Sequence, residues 1–189
     1  MAETETEKPR LTEDEVFRAL DDKALWGAGP WQDEPDRVEF RHAGMPCVLQ
    51  RSPFYGAWCG YVAVYPLHPW YGADRYEIDA GEDVPVSVSY AAHDDALVTC
   101  ATLRGESSDR YWVGFGYFGA NDYGPKFAAS LHVMGVNSKC FPYPYDHAAA
   151  LGARSASVYS LLFKPIYRTL DVAREALEAL AEAAKERAK

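Results

Sequence analysis

Apolar and polar positions alternate along Arg37-Val-Glu-Phe-Arg41, the pattern of a half-buried strand. His42 to Pro46 reads as a turn, and Cys47-Val-Leu-Gln-Arg51 as the return strand of a hairpin. Ala57 to Tyr65 is apolar at nearly every position, which predicts a central strand covered on both faces. Gly60 inside it marks a bulge or a close backbone approach. Pro66 to Gly72 is bracketed by prolines and reads as irregular. Val84 to Tyr90, Ala96 to Leu103 and Tyr111 to Phe118 carry further strand patterns. The last of these sets Trp112, Gly114, Gly116 and Phe118 on one face and Tyr111, Val113, Phe115 and Tyr117 on the other.

Helical signals sit at the two ends. Thr12 and Glu15 form a capping box, with an apolar stripe of Val16, Phe17, Leu20 and Leu25 ending near Gly27. Trp26 and Trp31 anchor the loop that follows. Lys126 to Val136 predicts a short helix. Thr169 or Asp171 caps a last helix towards Ala188, with Leu170, Ala173, Leu177, Leu180 and Ala184 at helical spacing. Strands do not alternate with crossover helices. The expected fold is therefore α+β, a mainly antiparallel sheet with N- and C-terminal helices packed on it. Residues 1–10 read as a disordered acidic tail and 11–189 as one domain.

Composition narrows the functional classes. The 189 residues carry a formal net charge of −9, against broad binding to nucleic-acid backbones or anionic membranes. The N-terminus is polar and no apolar run approaches the ~20 residues of a membrane span, so a cytoplasmic protein is expected. Cys47, Cys59, Cys100 and Cys140 form no C-x-x-C pair and read as reduced thiols. No cofactor fingerprint is present: Gly114 and Gly116 lie within a strand pattern and do not open a helix.

The aromatic share, 14%, is high and falls in two clusters. Phe54, Tyr55, Trp58, Tyr61, Tyr65, Trp70 and Tyr71 form one. Tyr111, Trp112, Phe115, Tyr117, Phe118 and Tyr123 form the other. If their strands are neighbours, one sheet face is aromatic. Such a face is either core with tyrosine hydroxyls reaching the surface, or a stacking surface for a planar ligand or partner. The loops at 66–72 and 119–125 would rim it, with His68, Asn121 and Asp122 supplying polar contacts.

Three stretches carry a resemblance. Cys59-Gly-Tyr-Val-Ala-Val-Tyr-Pro-Leu-His-Pro-Trp-Tyr-Gly72 is the most distinctive. Tyr111-Trp-Val-Gly-Phe115 with Asp122-Tyr-Gly-Pro125, and the helix from Tyr167, support it. Together they resemble an uncharacterised family of actinobacteriophage and bacterial proteins with a His-Gly-Gly-Leu-Thr-Tyr signature. Here that signature stands as Pro85-Val-Ser-Val-Ser-Tyr90, and the family's aspartate and histidine in the second segment fall on Gly116 and Gly119. Of the polar set only His68, Tyr90 and Asp122 remain. The resemblance implies a phage or mobile-element context and no particular chemistry.

The leading expectation is a non-catalytic binding protein, engaging a host protein or a small planar ligand through His68, Trp70, Tyr71, Tyr90, Trp112, Asn121 and Asp122. Losing titratable groups favours binding over catalysis. The alternative is a hydrolase-like enzyme with His68 as base and Asp122 as its orienter. Cys59, His68 and Asp122 could assemble a metal site, but a histidine between prolines more often makes a structural hydrogen bond, so no metal is expected. A third reading is an assembly subunit, a homo-oligomer joined through an aromatic patch.

Overall fold

Strands β1 (Arg37–His42) and β2 (Met45–Arg51) form the expected hairpin. Ala43 and Gly44 turn it, at φ 52° and 87°. Two consecutive positive values are what a two-residue type I′ turn requires. The computed structural model describes residues 20–93, 109–119, 121–135 and 165–188. Pro46 belongs to β2 rather than to the turn. It pairs with Arg41 on one side, while the ladder to the next strand begins at Cys47, so its missing N–H costs no sheet bond.

Three further strands complete the sheet: β3 (Trp58–Val64), β4 (Tyr90–His93) and β5 (Tyr111–Gly116). Their order is β1-β2-β3-β5-β4, and every pairing is antiparallel. β3 lies in the middle, and all of its residues are buried. Gly60 marks no bulge: it pairs in unbroken register with Leu49 and Phe115. Its role is close approach, because a Cβ there would fall 2.6 Å from the Phe115 ring. Among the described residues Val84 to Ser89 forms no strand. Its valines are half-buried against the core, but Pro85 and the lack of a pairing partner keep it out of the sheet.

Helix α1 (Pro125–Val133) is shorter than expected, and α2 (Leu170–Arg187) follows the expected span. The Thr169 hydroxyl accepts from the Val172 N–H and caps α2. The buried face of α2 is Ala173, Ala176, Leu177, Leu180, Ala181 and Ala184. Its many alanines let the helix lie close on the sheet, where it covers Cys47, Leu49, Val62 and Val113. The fold is α+β, with a C-terminal helix packed on an antiparallel sheet. The expected N-terminal helix falls mostly on residues 11–19, outside the described residues. The tail, the strand at 96–103 and the thiols of Cys100 and Cys140 also lie outside them. The end of that helix stripe is a short 3-10 turn, Lys23–Trp26, and Leu25 in it is exposed.

A second core joins the N-terminal loop to α1. Trp31 is fully buried, stacks on Tyr123 at 5.7 Å and meets the edge of Tyr167 at 5.2 Å. Trp26 lies in the same cluster, so both tryptophans anchor this loop as expected.

Candidate functional site

The expected site residues separate into three places. His68, Trp70 and Tyr71 lie on the α2 side of the sheet. The His68 Nε2–H donates to the Ala184 carbonyl at 2.7 Å, and Nδ1 accepts from the Trp70 N–H at 3.0 Å. Both ring nitrogens are spent on backbone, which fixes the tautomer and leaves no lone pair for a base. Trp70 is buried beneath α2. Tyr71 packs on Tyr111 and His93 in a triangle of rings. The stretch that carries the family resemblance thus ties the end of α2 to the sheet.

Asn121 and Asp122 lie at the other end of α2. The Asn121 carbonyl accepts from the Ile166 N–H at 2.7 Å. Asp122 takes the Gly119 N–H at 3.0 Å and pairs with Arg168 at 3.1 Å. From Leu170 to Ala184 the helix rises roughly 20 Å, so His68 and Asp122 do not meet as base and orienter. Cys59 is on the opposite sheet face from His68. Among the described residues no three His, Cys, Asp or Glu side chains are grouped to hold a metal ion.

Tyr90 and Trp112 lie on the sheet face turned away from α2. Register places them there with Val48, Cys59, Tyr61 and Ala63. The two strands are neighbours, but their aromatics divide between the faces: Tyr61 and Trp112 lie here, while Trp58, Tyr111 and Phe115 lie on the α2 side. Trp112 is fully buried, its indole fitted between Ala63 on β3 and Ala92 on β4. It is core. Trp70 is core too, so neither tryptophan presents the exposed ring expected of it.

A cavity of about 450 Å³ opens on this same face, at the end where β2 leaves the sheet and β3 enters it. Of the expected residues it contains Tyr90 alone among the described ones. Its floor is Cys59, Tyr61, Tyr90 and Gly116. Tyr61 and Tyr90 meet edge to face at 5.4 Å. The absence of side chains at two β5 positions makes room for flat rings: a Cβ on Gly114 would fall 2.6 Å from the Tyr61 ring, and one on Gly116 2.2 Å from the Phe118 ring. The alternating glycines of β5, read from the sequence only as strand residues, are the signal that could have located it.

One wall is the β2–β3 loop, Ser52 to Tyr55. The Ser52 hydroxyl accepts from the N–H groups of Phe54 and Tyr55, at 3.3 and 3.2 Å. The Tyr55 carbonyl accepts from Lys126 and Phe127 at the start of α1, at 3.2 and 3.4 Å. Gly56 turns the loop at φ 68°, where a side chain would meet the Trp26 ring and Lys126. The Tyr55 ring then packs on Phe118 at 4.9 Å. The opposite wall is Ser89 and Arg75.

Behind the loop lies a buried polar knot that no local sequence pattern announces. One carboxylate oxygen of Glu34 accepts from Arg51 at 2.7 Å, from the Trp58 indole at 3.2 Å and from the Tyr167 hydroxyl. The other accepts from the Leu170 N–H at 2.9 Å and so joins the start of α2. Arg51 also pairs with Asp36 at 3.0 Å, donates to the Gly56 carbonyl at 2.9 Å and lies over the Trp58 ring. Burial pushes the Tyr167 hydroxyl well above the usual phenol range, partly offset by Arg51 and reinforced by the bond to Glu34. Every strong group in the knot is satisfied internally, so it holds the cavity wall rather than reacting.

No protein-family model, no curated protein and no solved structure matches this chain. Its function is therefore read from its own geometry.

Proposed function

We propose that this protein is a non-catalytic binding protein that takes a small planar ligand in the cavity floored by Tyr61 and Tyr90. One observation carries the reading: a concave site of about 450 Å³ is walled by the aromatic side chains of Phe54, Tyr55 and Phe118, with polar groups of Gln50, Ser52, Arg75 and Ser89 at its edge. That volume and that lining suit a ligand of two or three fused rings. Aromatic walls favour stacked and edge-to-face contacts with a flat guest. The glycines of β5 support the same reading, because they let rings lie flat along the sheet. The resemblance of Cys59–Gly72 to the actinobacteriophage family supports a phage or mobile-element origin for the binder.

Saturation-transfer NMR with a panel of two-ring and three-ring aromatic compounds tests this. The panel gives binders, and Phe118→Ala weakens them by about tenfold, since one stacked ring contributes on that scale. Phe118 is largely exposed, so the variant keeps the fold. No binder across the panel, or binding indifferent to Phe118→Ala, contradicts the proposal.

A further inference from the structure

The cavity has a charge of its own. Apart from its phenols and one thiol, its ionisable lining side chains among the described residues are Arg51 and Arg75, both cationic, in a chain of net charge −9. The two differ in what they are free to do. Arg51 is committed to Glu34, Asp36, the Gly56 carbonyl and the Trp58 ring. Arg75 makes no ion pair among the described residues. Its guanidinium is nonetheless held in place: one terminal nitrogen donates to the Ser89 carbonyl at 3.3 Å and the other to the Tyr76 hydroxyl at 2.6 Å. It also lies over the Tyr76 ring, 4.6 Å from the centroid.

A guanidinium has five N–H donors, so two are used and three remain. The carboxylates nearest in sequence are spent on their own turn. Asp74 accepts the Tyr76 N–H at 2.9 Å, and Glu77 accepts the Asp74 N–H at 3.1 Å. The result is a fixed guanidinium fork, without an ion-pair partner among the described residues, at the wall of an aromatic cavity. Such a fork matches the two oxygens of a carboxylate. A single guanidinium with acidic neighbours fits a monoanion better than a phosphate dianion.

Building on the planar-ligand reading, we infer that the cavity binds a planar aromatic carboxylate, with its ring among Tyr61, Tyr90 and Phe118 and its carboxylate on Arg75. The ring contacts supply the apolar part of affinity and the fork supplies the choice of anion. Neutral and cationic ring compounds of the same shape bind more weakly.

Calorimetric titration of the full chain with naphthoate and with naphthamide tests this. The two probes share a ring system and differ in charge. Naphthoate binds about tenfold tighter or more, the scale of a charge-assisted hydrogen bond at a partly desolvated site. Arg75→Gln removes that preference, bringing naphthoate to within about twofold of the affinity of naphthamide for the same variant. Arg75→Lys keeps the charge without the fork and retains only part of the preference. Raising the salt concentration weakens naphthoate and not naphthamide. Arg75 is exposed, so its variants fold. Equal binding of both probes, or a preference that survives Arg75→Gln, overturns the carboxylate assignment while the planar-ligand reading stands. Binding of neither probe overturns both.

Discussion

Leu67 stands fully in solvent at φ 80°, after Pro66, in the turn closed by the His68 N–H on the Tyr65 carbonyl. That position of a proline-led turn suits glycine or asparagine. A leucine there carries left-handed strain and buries nothing in return. Leu67→Asn is expected to stabilise the protein by about 1 kcal/mol, read as a higher urea midpoint. Ala43 repeats the argument in the β1–β2 turn, where Ala43→Asn restores the Asn-Gly pair that type I′ turns prefer, with a similar gain. Glu34 is the opposite case. Its carboxylate serves Arg51, Trp58, Tyr167 and Leu170 together. Glu34→Ala leaves a buried guanidinium with only the more exposed Asp36, and is expected to cost about 3 kcal/mol in denaturant unfolding. No local pattern announces such a residue. In the sequence Glu34 is one acid among Asp33, Glu34 and Asp36, and its partners come from three distant segments.

Among the elements, β3 and α2 were legible for the same reason: a long signal of one period, apolar throughout in the strand and helically spaced in the helix. From Val84, alternation reports which side chains face the core, not whether a partner strand is present. Its valines do face the core, but among the described residues no ladder forms there. Aromatic density was ambiguous for a related reason. Trp70 and Trp112 are core residues and Tyr71 is half-buried against the core, while Tyr90, Tyr61 and Phe118 border a cavity, and composition does not separate the two. The glycines do. A methyl group on Gly114 would strike the Gly60 carbonyl at 2.4 Å, whereas one on Gly116 would first meet the Phe118 ring, at 2.2 Å. Gly114→Ala is therefore expected to cost stability, by roughly 1–3 kcal/mol. Gly116→Ala is expected to shift Phe118 and weaken planar ligands with a smaller effect on the urea midpoint. Equal stability losses for the two would contradict this division of roles.

At the scale of the molecule, the sheet has two differently used faces. One is sealed by α2 and held at its ends by His68 on Ala184 and by Glu34 on Leu170. Burial there pushes the Cys47 thiol up to about 12, and burial in the second core raises the Tyr167 hydroxyl. Both groups stay protonated in the fold while the unfolded chain ionises near its ordinary values, 9.0 for the thiol and 10.0 for the phenol. Their contribution to stability is complete below the ordinary thiol value and is lost as the pH rises from there towards the folded value. A urea midpoint level through neutral pH and falling in alkali is expected, and Cys47→Ala flattens part of that fall. The other face carries the cavity, and the functional claim rests on it. Carbon-labelled tyrosine rings report on both faces in one titration with naphthamide. Ring signals of Tyr61 and Tyr90 are expected to shift as ligand is added, while those of Tyr71, Tyr111 and Tyr167 stay in place. Shifts at Tyr71 and Tyr111 instead, or no shift at Tyr61 and Tyr90, would contradict binding in this cavity.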